Sequence, residues 1–198
     1  MRYYVVIVLC YFIDLSAGAF VMESENEAGY YWREFDGKMI PHDALPGGIN
    51  SGGVTTYIGQ VYARNLVIPA KIDIVKGTVT YEWGYQEFRA TEYIKILCAR
   101  YPEQFQWLST GNGYISQLEG KHLIRGGYGE NADIYIGRIQ LDDELALGKV
   151  FNGTKQTTLH IPKDGKGTQH AAFQILSYNP SISNRNDSND CQVVINPY

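Results

Sequence analysis

Two lysines in matching sequence surroundings are the strongest candidates for binding chemistry. Lys71 follows the tyrosine of Tyr57-Ile58-Gly59 by fourteen residues, and Lys149 follows that of Tyr135-Ile136-Gly137 by the same interval. A lysine ammonium carries three hydrogen-bond donors, which suits a ligand rich in hydroxyl groups. The alternative for Lys71 is a solvated position on a strand.

Side chains near Lys71 in the sequence supply the other groups that a sugar site needs. A pyranose presents vicinal hydroxyls and an apolar face, so its site requires a fixed donor, a fixed acceptor and usually an aromatic platform. Lys71 supplies donors, Asn50 can donate or accept, and Trp83 or Tyr85 is the candidate platform. The alternative for Trp83 is a place in the hydrophobic core.

Motifs for catalysis, cofactors and metals are missing from the sequence. The residues after the four Gly-Lys pairs are Met39, His122, Val150 and Gly167, where a phosphate-binding loop needs Ser or Thr. No Gly-x-Ser-x-Gly sequence occurs, and the four histidines lack the spacing of metal ligands. We therefore predict a protein that is not an enzyme and has no catalytic residue, cofactor or metal.

The two lysines belong to a longer duplication. Each copy opens on a stretch with a tryptophan, Trp32 or Trp107, and has a Gly-Gly pair before its Tyr-Ile-Gly motif. A repeat of this length is one supersecondary unit that buries its apolar face against its neighbour. We expect the copies to pack through the strands that flank the Tyr-Ile-Gly motifs, about a pseudo-two-fold axis. Both tryptophans are expected in the core, and the paired glycines in tight turns with positive φ.

The composition favours strands. The chain has 16 tyrosines and 21 glycines, and Tyr, Val, Ile and Thr favour strands while Gly marks turns. The fold class we predict is all-β, with two tandem pseudo-symmetric antiparallel β repeats packed into one compact domain. Alternating apolar and polar positions predict strands at 56–62, 71–75, 78–83, 91–98, 134–141, 157–161 and 171–178. A net charge of −4 argues against a nucleic-acid partner.

The ends of the chain differ from its middle. Residues 1–19 combine a basic start, an apolar stretch too short to span a membrane and small residues near Ala19, which predicts a secretory signal peptide; an uncleaved interfacial anchor is the alternative. The predicted division continues with a flexible leader at 20–29, the first repeat at 30–98, a joint at 99–104, the second repeat at 105–177 and a C-terminal tail at 178–198.

A secreted chain implies an oxidising compartment. After signal removal Cys98 and Cys191 remain, and we predict a disulfide between them, with two separate thiols as the alternative. Asn152 and Asn186 each begin an Asn-x-Ser/Thr sequence and are predicted glycosylation sites.

The duplicated block resembles the DM-nine repeat family, which occurs as tandem pairs in invertebrate proteins, some of them secreted. The resemblance rests on Trp32, Pro41, Ala44, Gly47-Gly48, the Tyr-Ile-Gly-Gln/Arg motifs, Leu66, Pro69-Ala70-Lys71 and Tyr81-Glu82-Trp83-Gly84, and covers Tyr30 to about Ser177. It implies an all-β fold, an ability to form homodimers, and membership of a group that includes mannose-binding lectins acting in immune recognition.

The resemblance also implies site residues. In those lectins a carboxylate just after the Gly-Gly pair and a lysine after Pro-Gly hold the sugar. The first repeat has Asn50 at the carboxylate position, together with Lys71. The second repeat has Lys149 but Gly129 at the matching position, where Glu130 or Asp133 is the substitute.

These observations lead to one function and one alternative. The predicted function is a secreted carbohydrate-binding, mannose-type recognition protein whose partners are glycans on microbial or host surfaces. The alternative is an extracellular structural or protein-interaction module that binds no sugar.

Overall fold

A computed structural model describes residues 29–129, 132–152 and 157–182, which form fifteen β-strands. The first repeat contributes β1 (Tyr30–Glu34), β2 (Pro46–Ile49), β3 (Thr55–Ala63), β4 (Leu66–Asp73), β5 (Thr78–Trp83), β6 (Gln86–Ala90) and β7 (Ile94–Ala99). The second contributes β8 (Phe105–Gly111), β9 (His122–Leu123), β10 (Arg125–Tyr128), β11 (Asp133–Gln140), β12 (Leu145–Asn152), β13 (Thr157–Lys163), β14 (Lys166–His170) and β15 (Ala172–Tyr178). The only helices among these residues are two short 3-10 turns, Pro102–Gln104 and Ile115–Leu118.

The all-β prediction is confirmed, and each predicted strand overlaps an observed one. The prediction missed eight strands because their own sequences carry little apolar alternation. In β2 and β10 a glycine pair occupies the middle of the strand, and β14, Lys-Gly-Thr-Gln-His, has no apolar side chain. These strands exist because neighbouring strands pair with them, a condition that no local pattern contains.

Both repeats use the same strand pairing. In the first repeat β3 pairs with β2, β4 and β7, and in the second β11 pairs with the corresponding β10, β12 and β15. The hairpin registers also match, since Ile58 lies opposite Lys71 and Ile136 lies opposite Lys149. The repeated sequence therefore encodes a repeated structure, as we predicted.

The two repeats join through reciprocal strand pairs. Ile49 of β2 pairs with Leu145 of β12, and the equivalent strands of the other copy pair through Tyr128 of β10 and Val67 of β4. A third contact joins two equivalent strands to each other, β6 and β14. Such exchange of equivalent partners is what a pseudo-two-fold axis produces. All fifteen strands belong to one continuous sheet.

Three hydrophobic clusters hold this sheet together. One lies in each repeat, and the third is shared between them. The isoleucines of the two Tyr-Ile-Gly motifs, Ile58 and Ile136, both belong to the shared cluster. Trp32 and Trp107 pack against this shared cluster and are partly buried. They were predicted in the core, and the structure places them at its edge, where the two repeats meet.

The Gly-Gly pairs do not form turns, so that expectation is wrong. Gly47 and Gly48 lie inside β2, Gly126 and Gly127 lie inside β10, and none of them has a positive φ. A Cβ on Gly48 would lie 2.2 Å from the carbonyl oxygen of Leu145 in the other repeat. The glycines are required because two backbones meet there without room for a side chain.

The tight turns occur elsewhere. The β5–β6 hairpin turns through Gly84 and Tyr85, with φ of 58° and 63°, and the β13–β14 hairpin through Asp164 and Gly165, with φ of 52° and 80°. Two consecutive positive φ values match a type I′ turn, whose twist suits a two-residue hairpin. These two turns project toward each other, since the amide of Gly165 donates a 2.7 Å hydrogen bond to Glu87 of β6.

The predicted disulfide and glycosylation sites lie only partly within the described residues. Cys98 is buried on β7, whereas Cys191 and Asn186 lie outside the described ranges, so these sites stay predictions. Burial raises the pKa of the Cys98 thiol to about 11, and the carboxylate of Asp43 adds to the shift. An unbridged Cys98 would therefore be a poor nucleophile at neutral pH. Asn152 ends β12, but the residues that complete its Asn-x-Thr sequence are outside the same ranges.

Residues 1–28, which include the predicted signal peptide, also lie outside the residues that the structure describes. Within the described ranges, no helix has both the length and the apolar character needed to cross a membrane.

Candidate functional site

Lys71 is held by a carboxylate from the other repeat. It lies on β4, its side chain is 12% exposed, and its Nζ is 3.7 Å from Oε2 of Glu144. Lys163 approaches the same group, with Nζ 3.1 Å from Oε1 of Glu144 and 2.8 Å from Oδ1 of Asp143. The hydrogen bond to Asp143 raises the pKa of Lys163 and lowers that of Asp143. These four side chains form a fixed ion-pair network across the interface between repeats.

A cavity of about 700 Å³ lies over this network. One side is formed by β4, β5 and β6 of the first repeat, and the other by β13 and the turns after β11 and β13 of the second. Four basic and five acidic side chains line it, and no aromatic ring of the described residues does. A volume of this size fits one or two sugar units, and a wall of paired donors and acceptors suits a hydroxyl-rich ligand.

Lys149 is also paired with a carboxylate of the opposite repeat, but it is closed off from solvent. Its side chain is 6% exposed, and Nζ lies 2.8 Å from Oε2 of Glu82 and donates to the carbonyl oxygen of Glu82 at 2.9 Å. Nζ also lies 4.3 Å from the centre of the Trp83 ring, in cation–π geometry. Glu82 lies in β5 and Glu144 in the turn after β11, so the two equivalent lysines pair with carboxylates from different parts of the opposite repeats.

His160 completes the surroundings of Lys149. Its Nδ1 lies 3.6 Å from Oε2 of Glu82. Burial lowers the pKa of Lys149, and burial likewise lowers that of His160 against the opposing effect of Glu82. Because the lowered pKa of His160 favours the neutral imidazole, the carboxylate of Glu82 has one cation to balance, the ammonium of Lys149.

The predicted aromatic platform is on the Lys149 side of the molecule. Trp83 covers the Lys149 ammonium, and Tyr85, 62% exposed on the β5–β6 turn, has its ring centre 6.3 Å from that of His160. Neither ring lines the cavity over Lys71. The structure thus brings together two groups of candidate residues, one around each lysine, and separates Lys71 from both aromatic candidates.

The chain matches the model of a known protein family. The family model of the DM9 repeat matches residues 50–170. The chain belongs to the DM9 repeat family. A search among curated proteins found no match. Among solved structures, the chain is similar to the crystal structure of the nematode sperm cell motility protein MFP2B, with a TM-score of 0.55 and 17% sequence identity.

The likeness to MFP2B concerns the fold alone. It covers 78% of this chain and 48% of the MFP2B chain, so this DM9 protein spans about half of that chain. The function of this DM9 protein depends on its own residues.

Asn50, at the position where DM9 lectins are expected to carry a carboxylate, makes three hydrogen bonds inside the protein. Its side chain is buried, Nδ2 donates to Oδ2 of Asp73 at 2.8 Å, and Oδ1 accepts from the amides of Gly52 and Val54 at 2.9 and 3.0 Å. Asn50 does not line the cavity, whereas Asp73 does. The amide therefore orients a carboxylate of the cavity, and its assignment as a direct sugar contact stays a prediction.

This arrangement also gives a prediction for the stability of the Asn50→Asp variant. By the resemblance, the aspartate should strengthen sugar binding. In the structure it would place a second carboxylate 2.8 Å from Asp73, so we expect a loss of about 1 to 3 kcal/mol in the free energy of unfolding at pH 7. Repulsion raises the pKa of one carboxyl above its unfolded value, so the loss should shrink as the pH falls toward 4.

Urea unfolding of the wild type and Asn50→Asp at pH 4 and pH 7 measures this effect. Asn50→Ser, which removes the amide that donates to Asp73 without adding charge, is the matched control and should show no comparable pH dependence. A variant as stable as the wild type at pH 7 would contradict the role given to Asn50.

The second-repeat candidates for the acidic partner are not placed at Lys149. Asp133 forms a 2.9 Å ion pair with Arg125 across β10 and β11, and the described contacts of Lys149 do not include it. Glu130 lies outside the described residues. Both assignments stay predictions.

Six residues of the two lysine sites escaped the sequence analysis: Asp73, Glu82, Asp143, Glu144, His160 and Lys163. Glu82 gave a usable signal, since a carboxylate flanked by Tyr81 and Trp83 in a strand implies a buried partner. Glu144 and Lys163 gave none, because their importance comes from contacts with the other repeat.

Proposed function

We propose that this protein binds carbohydrate in the cavity over Lys71. The observation that carries the proposal is the ion pair between Lys71 and Glu144, which sets a charged donor and a charged acceptor side by side on the cavity wall. Neighbouring hydroxyls of a sugar can accept from one and donate to the other. Membership of the DM9 repeat family, which the sequence resemblance links to mannose-binding lectins, supports the same conclusion.

The charges of the cavity are organised before any ligand arrives. Glu144 is held by Lys71 and Lys163, and Asp73 by Asn50 with Lys76 4.0 Å away. Fixed partners reduce the conformational entropy that binding would otherwise cost. A charged lysine and a buried carboxylate also form stronger hydrogen bonds with hydroxyls than neutral groups do.

The absence of an aromatic ring from the described cavity wall predicts modest affinity. Sugar sites gain much of their binding energy from a ring stacked on the apolar face of the sugar. With hydrogen bonds alone, a single site should bind a monosaccharide weakly, and useful retention would depend on several sites acting together. A homodimer, as the family resemblance implies, would supply that multiplicity.

The biological setting is part of the proposal. We propose a secreted protein that recognises mannose-containing glycans on microbial or host surfaces, on the basis of the N-terminal sequence and the family resemblance.

Retention on mannan-coated resin tests the site. We expect the wild type to bind and to elute with free mannose, and Lys71→Ala to lose about ten- to a hundredfold in affinity because a charged donor is removed. Lys163 remains to compensate Glu144, so the variant should stay folded, which circular dichroism checks. Lys149→Ala should change sugar affinity less, because Trp83 and Glu82 enclose its ammonium. This variant leaves Glu82 buried without its counter-charge, so its affinity is compared only after circular dichroism has shown it to be folded.

The matched control is Lys95→Ala. Lys95 is a half-exposed strand lysine of the same repeat with one exposed partner, Glu34, at 3.3 Å, and it does not line the cavity. It should be retained like the wild type. If the wild type is not retained, or if Lys71→Ala is retained equally well, carbohydrate binding at this cavity is wrong and the protein-interaction alternative is favoured.

A further inference from the structure

Three neighbouring side chains on the cavity floor form a row across β4, β5 and β6. Lys71 lies opposite Thr80, and Thr80 lies opposite Arg89 in the strand register. All three line the cavity. A hydroxyl therefore stands between a lysine and an arginine, with no acidic side chain in the row.

Thr80 is the unusual member of this row. The residue is 4% exposed, and its Oγ1 is buried without a hydrogen-bond partner among the described residues. A buried hydroxyl without a partner costs about 1 to 3 kcal/mol unless a ligand or water completes it. The hydroxyls of Thr56 and Thr110 are in the same condition, but of these three threonines Thr80 is the one that lines the cavity. Thr80 lines the cavity, so a ligand bound there is the candidate to supply the missing acceptor once the neighbouring side chains of Lys71 and Arg89 move to admit it.

Of the four cations that line the described cavity, Arg89 is the one that forms no ion pair with a carboxylate. The other three have acidic partners, Lys71 and Lys163 at Glu144 and Lys76 at Asp73. Arg89 is exposed and has neither an ion pair nor a side-chain hydrogen bond among the described residues. Its guanidinium is free to close on an anion with two parallel hydrogen bonds.

We propose that the sugar bound in this cavity carries an anionic substituent, a carboxylate or a sulfate ester, that is seated on Thr80 and Arg89. This inference rests on the proposed carbohydrate function and adds the class of sugar. Thr80 donates a hydrogen bond from its hydroxyl to the anion, and the Arg89 guanidinium donates two. The Lys71 ammonium donates to the anion and to an adjacent ring hydroxyl. The neutral part of the sugar faces Glu144 and Asp73.

The remaining acidic groups are compatible with an anion at this row. Glu87, on β6, accepts from the amide of Gly165, and Asp143 is bound by Lys163. Of the acidic residues that line the cavity, Asp164 has no side-chain partner among the described residues. It lies on the opposite wall, in the β13–β14 turn. Asp164→Asn should therefore strengthen binding of an anionic sugar by about twofold, since it removes only an exposed, screened charge.

Three matched sugars test the inference by isothermal titration calorimetry. The probes are methyl α-mannoside, the mannuronic acid glycoside that differs by a carboxylate at C6, and the 6-sulfate of the mannoside. We expect at least one of the anionic sugars to bind about tenfold or more tightly than the neutral one, and its advantage to fall as salt is raised. Whichever of the two binds more tightly identifies the source of the anion.

Two variants locate the anion. Arg89→Gln should abolish the preference for the anionic sugar, so that the anionic and neutral sugars bind with affinities within about twofold of each other. Thr80→Val, of nearly equal volume, should weaken the anionic sugar about three- to tenfold while leaving the protein folded. Arg100→Gln, at an exposed arginine outside the cavity, is the matched control and should change neither affinity.

The outcomes separate this inference from the proposed function. Equal binding of neutral and anionic sugars, or a preference that survives Arg89→Gln, overturns the anionic-sugar inference and leaves carbohydrate binding in place. Failure of all three sugars to bind overturns both. Binding of the anionic sugars alone, lost in Arg89→Gln, supports both.

Discussion

Replacing Glu82 by Ala should lower the free energy of unfolding by about 3 to 5 kcal/mol, because it leaves a buried lysine without its counter-charge. Glu82 and Lys149 are 2% and 6% exposed at their side chains, and their charged atoms are 2.8 Å apart. The carbonyl oxygen of residue 82 and the Trp83 ring remain as partners of the ammonium, but neither carries a full negative charge.

The destabilisation should depend on pH in a defined direction. Burial already lowers the pKa of Lys149, and loss of Glu82 should lower it further below the unfolded value of about 10.4. The folded variant then favours the neutral amine, so its deficit relative to the wild type should shrink as the pH rises from 7 toward 10. Urea unfolding followed by tryptophan fluorescence at both pH values measures this.

Two further variants serve as controls for Glu82. Glu34→Ala removes an exposed carboxylate whose partner is the half-exposed Lys95, and should cost no more than about 1 kcal/mol. The double variant Glu82→Leu with Lys149→Met replaces the pair by apolar groups and should recover much of the lost stability. A Glu82→Ala protein as stable as Glu34→Ala would show that the pair across the repeats contributes little.

Gly48→Ala and Gly127→Ala should each destabilise the protein by about 3 kcal/mol or more, at the upper end of the cost of overpacking. The added methyl of Gly48→Ala would lie 2.2 Å from the carbonyl oxygen of Leu145, and that of Gly127→Ala 2.0 Å from that of Val67. Both obstacles are backbone atoms of the other repeat, so no side-chain rotation relieves the overlap. The strand pairs that join the repeats would have to separate.

Gly129→Ala is the matched control for these glycines. Its added methyl would lie 3.8 Å or more from the described residues other than its neighbours in the chain, and its φ is not positive. Its midpoint of thermal unfolding should therefore stay within a few degrees of the wild type, whereas the midpoints of the other two should fall clearly. If Gly48→Ala and Gly127→Ala unfold together with Gly129→Ala, the close approach of the backbones is not what requires glycine.

Much of the fold could be predicted from the sequence alone, because the sequence patterns that indicate strands and hairpins are local. Alternating side chains predicted seven of the fifteen strands, and the equal interval from each Tyr-Ile-Gly motif to Lys71 or Lys149 predicted two equivalent hairpins. A period of two residues and a fixed interval are properties of one hairpin, which folds the same way in each copy. The same repeated motifs were sufficient to suggest the DM9 family.

Tertiary structure decided what surrounds each lysine. Glu144 reaches Lys71 and Glu82 reaches Lys149 only because the repeats dock reciprocally through β2, β4, β10 and β12. The same docking requires glycine inside β2 and β10, and it places Trp83 over Lys149 instead of beside Lys71. The sequence specified the donors and the hairpins that carry them. Their partners come from the other repeat, and which residues meet across that interface depends on the geometry of docking rather than on any spacing within one copy.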